Sequence, residues 1–189
     1  MLLLISKIIL WLGRWTIVNR PPSLPKYVIV GGPHTSNWDF VYAIAVRNVL
    51  QLPIKYLGKD ALFRPPYGWI FRAMGGYPVS RTKSANRVEM AASLFNTADE
   101  FILALSPEGT RTKVEKLRTG FYHIARKANV PIVMIGIDFG KREFSFSEAF
   151  WPSEDMEADM AYIINFFGQF TGKIPENEIN YSPKSDLPH

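Results

Sequence analysis

Short apolar runs recur along this chain at helix-length intervals, and that alternation constrains the fold more than any single motif. Residues 27–30, 54–57, 77–79, 101–105 and 131–137 are strand-length and rich in Val, Ile, Leu, Tyr and Phe, and longer segments separate them. Strand, helix, strand in that rhythm predicts an α/β fold: a single domain with a mostly parallel or mixed central sheet flanked by helices. Residues 143–146 are expected to add an edge strand, 120–128 a helix, and 156–170 a closing helix. No repeat or low-complexity linker divides the 189 residues, and a 47% hydrophobic composition can fill one substantial core. The expected organisation is an N-terminal helical segment (1–20), the α/β domain (21–171) and a flexible polar tail (172–189) punctuated by Pro175, Pro183 and Pro188.

An imidazole and a carboxylate stand five residues apart in Gly31-Gly32-Pro33-His34-Thr35-Ser36-Asn37-Trp38-Asp39. On a regular helix they would diverge by about 140°, so one of the two must lie outside it. A buried strand at 27–30, a Gly31-Gly32-Pro33 turn and a helix over 38–50 capped by Ser36 or Asn37 place His34 in the strand-to-helix loop. Asp39 then sits in the first helical turn, where the helix dipole favours a carboxylate. The loop can fold back so that Asp39 accepts from one imidazole nitrogen, leaving the other to take a proton from an alcohol. Taken alone, a His beside an Asp near a turn is more often a surface or capping residue.

A second run, Ser106-Pro107-Glu108-Gly109-Thr110-Arg111-Thr112, follows the apolar residues 101–105 and also reads as a loop at a strand end, the expected ligand side of an α/β sheet. Pro and Gly here are good turn chemistry. A turn does not require Glu108 and Arg111 around Gly109 and Thr110. Gly109 admits backbone amides to an anion, Thr110 donates a hydroxyl, and Arg111 can grip phosphate oxygens bidentately. Glu108 suits orienting Arg111 or contacting a ligand hydroxyl. A third segment, 75–81, ends in Arg81 and, with Lys83 and Arg87, offers either a second positive wall or an ordinary solvated edge.

The net charge of +5 and pI near 9.4 favour anionic surfaces. Arg111, Lys113, Lys116, Arg118, Arg126 and Lys127 are candidates to face phosphates or an acidic carrier. The aromatics sit inside apolar runs and do not alternate with cations on an exposed face, so nucleic acid is not the expected partner. The chain has no Cys, which excludes a thiol nucleophile and disulfides, and His34, His123 and His189 do not form a convincing metal set. No metal is expected. Residues 1–18 are nearly all apolar apart from Ser6, Lys7, Gly13 and Arg14, and would form a helix about 27 Å long. Trp11 and Trp15 suit a headgroup boundary, so a helix lying in the interface is expected; a tilted span and a core helix are the alternatives.

The blocks His34 to Asp39, Gly75 to Arg81, Ser106 to Thr112 and Val130-Pro131-Ile132-Val133, in this order over about residues 26–137, resemble those of the glycerolipid acyltransferases. Pro33, Ser106, Thr112 and Met134 depart from the common family pattern. The resemblance implies that His34 is a general base partnered by Asp39, and that Arg81, Glu108, Gly109, Thr110 and Arg111 bind the acceptor phosphate. It implies that Val130 to Val133 is a buried strand near the acyl site. The implied activity is transfer of a fatty acyl group from acyl-CoA or acyl carrier protein to the hydroxyl of a lyso-glycerophospholipid, without a cofactor. The implied setting is an anionic membrane surface on the cytoplasmic face of the inner membrane, with the protein monotopic. A thioesterase or lipid hydrolase using the same pair, and a non-catalytic lipid-binding module, are the alternative functions.

Overall fold

The structure is a computed structural model that describes residues 2–79, 87–110 and 112–179. Its centre is a strand buried on both faces. In β2 (Lys26–Gly32), Tyr27 and Ile29 point to one side and Val28 and Val30 to the other, all four at most 2% exposed. A period of two with both phases apolar is what a central strand between helical layers requires.

Seven strands form one sheet in the order β1-β7-β6-β2-β5-β3-β4, with β1 Thr16–Ile17, β3 Ile54–Lys59, β4 Gly76–Val79, β5 Phe101–Leu105, β6 Ile132–Asp138 and β7 Glu143–Phe146. Strand β2 pairs in parallel with β5 and β6, and β6 pairs antiparallel with β7, so the sheet is mixed. Helices cover both faces. Leu10 of α1 (Leu2–Leu12) and Ala45 and Val46 of α2 (Asn37–Leu50) bury against Tyr27, Ile29, Val133 and Ile135. The helices α4 (Arg87–Ser93), α5 (Gly120–Ala128) and α6 (Met156–Phe167) supply Ala91, Phe121, Tyr122, Ile163 and Phe167 to the core on the other side, against Val28, Val30 and Leu103. A short α3 (Gly68–Ala73) lies between β3 and β4.

Five local expectations are corrected. The N-terminal helix is not 18 residues long but ends at Leu12, where Gly13 and the left-handed Arg14 (φ 56°) turn the chain. At 11 residues it is about 16 Å long, and among the described residues no helix is long and apolar enough to cross a membrane. Trp15 is no headgroup anchor: it is 9% exposed and packs against Tyr42, Phe139 and Phe144 with ring centroids 4.7 to 4.8 Å apart. Gly31 and Gly32 extend β2 and pair with Ile135 and Gly136, so the turn begins only after them. Strand β7 is not an edge, because Thr16 and Ile17 pair outside it.

A further correction concerns the expected tail, of which residues 180–189 lie outside the described residues. Helix α6 stops at Phe167, and residues 168–179 form no loose tail. The Phe139 N–H donates to the Thr171 carbonyl (2.7 Å), the Ile174 N–H to the Thr35 hydroxyl (3.1 Å) and the Gly172 N–H to the Glu178 carboxylate, while Ile179 is buried in the core. The segment is a strap across the end of the sheet where β2 and β6 finish. Burial holds the Glu178 carboxyl above its ordinary range, against the pull of the Gly172 N–H, and Asp138 and Glu176 add to the rise.

Candidate active site

Because β2 and β5 are parallel neighbours, the loops that leave them emerge side by side at one end of the sheet. The first carries His34, the second Glu108. Topology alone therefore brings together residues 74 positions apart.

In the first loop Ser36 caps α2. Its hydroxyl accepts from the Trp38 N–H (3.2 Å), and Asp39, at the third helical position, accepts from the Ser36 N–H through Oδ2 (2.8 Å), which completes a capping box. The same Oδ2 lies 3.0 Å from His34 Nδ1. Asp39 is thus fixed by the backbone before it meets the imidazole, and it is 1% exposed against 19% for the His34 side chain. The pairing puts the proton on Nδ1 and leaves Nε2 as the nitrogen Asp39 does not engage. Asp39 Oδ1 has no hydrogen-bond partner among the described residues.

Glu108 joins the two loops. Its carboxylate accepts from the His34 N–H (3.0 Å) through Oε1 and from the Ser106 hydroxyl (2.9 Å) through Oε2, and the side chain is 3% exposed. The Gly109 N–H donates to Ser106 Oγ (3.3 Å), and Gly109 has φ +66°, a conformation that only glycine adopts without strain. A Cβ there would lie 2.7 to 2.8 Å from Arg118 Cδ and Nε, so the Arg118 side chain lies directly over the loop. Thr110 Oγ1 is 3.1 Å from Thr112 Oγ1.

The structure therefore brings His34, Asp39, Glu108 and Gly109 together, with Thr110 following in the same loop. Arg111 and Arg81, with Lys83, lie outside the described residues. Arg126 and Lys127 do not belong to this cluster. They are in the last turn of α5, at the opposite end of the sheet, in exposed ion pairs with Glu154 and Glu89 (2.7 Å each). His123 is an exposed α5 residue. Two neighbours of the site are not marked out as such by the sequence pattern. Arg118 is one of several basic residues in that stretch, and Gly109, which it covers, is the signal of its place; Thr35, 2% exposed and bonded to the strap, carries none. A cavity of about 430 Å³ lined by Arg20, Leu24, Tyr27, Leu50 and Ile102 opens where β2 and β5 begin, at the far end from His34.

A sequence model of the family described as Acyltransferase matches residues 17–138, from β1 to the last residue of β6. The chain belongs to the acyltransferase family. The matched region of this acyltransferase contains both site loops, whereas the strap lies beyond it. No curated protein sequence matches the chain significantly. Among solved structures, the chain is similar to the crystal structure of the 1-acyl-sn-glycerophosphate (LPA) acyltransferase PlsC from Thermotoga maritima. The identity is 18% and the TM-score 0.63, over 89% of this chain and 76% of that one. At that identity the likeness concerns the fold, and it agrees with the α/β architecture described above.

Proposed function

We propose that this acyltransferase moves a fatty acyl group from an acyl thioester, acyl-CoA or acyl carrier protein, to the hydroxyl of a phosphate-bearing lyso-lipid such as a 1-acylglycerol-3-phosphate. The observation that carries the reading is the bond from the His34 N–H to Glu108, which sets the base beside the Arg118-covered loop at Gly109, where a cation can meet an anion. His34 Nε2 takes the proton of the acceptor hydroxyl as that oxygen attacks the thioester carbonyl. Asp39 holds the ring and stabilises the imidazolium, which then returns the proton to the departing thiolate. The acceptor phosphate lies on the Glu108 to Thr110 loop, with Arg111 and Arg118 as cations and Arg81 as a second wall. No acyl-enzyme and no cofactor is required.

The same reading places the protein on a membrane as a monotopic enzyme at the cytoplasmic face of the inner membrane. Leu2, Leu4, Ile8, Trp11 and Leu12 of α1 are between 46% and 76% exposed, an apolar face that α2 does not cover. The test is incubation of purified protein with a panel of lyso-lipids and labelled acyl-CoA or acyl carrier protein, with products identified by mass spectrometry. Transfer should be abolished in His34→Ala while lyso-lipid binding persists. Full transfer by His34→Ala would end the base assignment, and release of free fatty acid alone would favour a hydrolase.

A further inference from the structure

We propose that Lys173 is a docking residue for the headgroup phosphates of an anionic bilayer, presented on the Trp38 ring by the C-terminal strap; the inference rests on the membrane-facing reading of α1. The strap is pinned on both sides of this residue. Before it, the Thr171 carbonyl accepts from the Phe139 N–H, and Gly172 is packed so closely on Thr35 that a Cβ would lie 2.8 Å from its side chain. After it, the Ile174 N–H donates to the Thr35 hydroxyl. A flexible lysine is thereby set at a fixed place on the rim of the site.

Its ammonium lies 4.6 Å from the centroid of the Trp38 ring, and among the described residues no carboxylate pairs with it. Trp38 is 49% exposed, in the first turn of α2, and stacks towards Tyr42, which packs on Trp15 just beyond α1. A half-buried indole carrying an ammonium that no described carboxylate neutralises is the pairing that suits the boundary between acyl chains and phosphates. Two more exposed cations flank the end of α1: Arg14, and Arg142, whose guanidinium donates to the Gly13 carbonyl. Cations here therefore border the apolar face of α1, as an anionic bilayer would require.

The partner is the bilayer and not the acceptor's own phosphate. The proposed anion-binding loop follows β5, whereas the strap is bonded to Thr35 after β2 and to Phe139 after β6, and β5 and β6 flank β2 on opposite sides. Lys173 and Glu108 thus approach the catalytic loop from opposite flanks.

The full-length protein is sedimented with vesicles of phosphatidylcholine, with and without phosphatidylglycerol. The wild type should bind both, and the mixed vesicles more tightly. Lys173→Gln should lose about fivefold in affinity for the mixed vesicles, the usual scale for one basic residue near a charged surface, and nothing on neutral ones. Lys173→Arg should restore binding. Trp38→Leu should lose a similar factor, with no further loss in the double variant. The kcat and KM of Lys173→Gln for a short-chain, water-soluble acceptor should equal those of the wild type. Equal binding of Lys173→Gln and wild type to mixed vesicles overturns the proposal, as does a raised KM for the soluble acceptor. Wild type that binds neutral and anionic vesicles equally sinks the headgroup site but leaves the membrane reading standing; wild type that binds neither sinks both.

Discussion

Replacing Asp39 with Asn separates the charge of the orienting residue from its shape. The amide has two orientations. With its carbonyl at the Oδ2 position it keeps both contacts, from the Ser36 N–H (2.8 Å) and from His34 Nδ1 (3.0 Å). With its NH₂ there, it would face the Ser36 N–H, a donor that cannot turn away, so the first orientation wins. The NH₂ then occupies the Oδ1 position, where the carboxylate oxygen has no hydrogen-bond partner among the described residues, and the cost depends on whether the new donor finds an acceptor there. A buried unpaired donor costs about 1–3 kcal/mol, a fall in Tm of roughly 2–12 °C for a domain of this size. The imidazole keeps its tautomer and place, and the negative charge is gone. Attraction between unit charges separated by the 3.0 Å of this pair is about 5 kcal/mol at an effective dielectric near 20. The 19% exposure of the imidazole reduces that, so kcat should fall by about 10²–10³-fold, at 1.36 kcal/mol per tenfold. The acceptor KM should change little. Initial rates with labelled acyl thioester at saturating acceptor, alongside a thermal melt, give both numbers. A folded Asp39→Asn enzyme within a few-fold of wild-type kcat would refute the claim that this carboxylate stabilises an imidazolium during turnover.

Glu108→Ala should lower kcat and raise acceptor KM together, whereas Glu108→Gln, whose carbonyl can still accept from the His34 N–H, should retain most of kcat; steady-state kinetics of the pair distinguish a joint from a mere anion. Gly136→Ala places a methyl in the Phe170 ring and should cost about 1–3 kcal/mol by overpacking, read as a lowered urea midpoint. Burial pushes the Tyr27 hydroxyl up to about 12, and burial together with the bond to Asp159 does the same for Tyr122, from an ordinary value of 10.0. The fold thus favours the protonated phenols. Their contribution is whole below pH 10.0 and is lost as pH rises through about 12. Urea unfolding across that window should show declining stability, and the slope should flatten in the Tyr27→Phe, Tyr122→Phe double variant.

What could be read from the sequence was whatever short-range pattern dictates. Strand β5 and helix α5 have the expected bounds, because an apolar run between polar turns and an amphipathic nine-residue stretch are local signals. The meeting of His34 with Asp39 was legible for the same reason: the cap at Ser36 and the five-residue spacing leave few other arrangements. Long-range pairing carried no such sign. Thr16 and Ile17 are a strand only because β7 offers them an edge, so an apolar start that could continue as helix was read through to Val18. The strap holds on to Thr35 and Phe139 through backbone N–H and carbonyl groups, which no residue type announces. Glu108 was assigned to the anion loop from its neighbours in sequence, and its bond across to His34 depends on the parallel register of β2 with β5.

That register has a consequence for catalysis. The proposed base and the proposed anion loop follow different strands, yet one buried carboxylate bonds to the backbone of the first and to the Ser106 hydroxyl of the second. On the proposed mechanism, movement of the second loop on taking up a phosphate would be transmitted to the backbone of His34 over a single side chain. Asp39, by contrast, is bonded within its own helix cap and has no such link to the acceptor. On the proposed mechanism, changes at Asp39 should act on kcat alone, while changes at Glu108 should move kcat and KM together, because one carboxylate would set the charge on the ring and the other its distance from the bound acceptor.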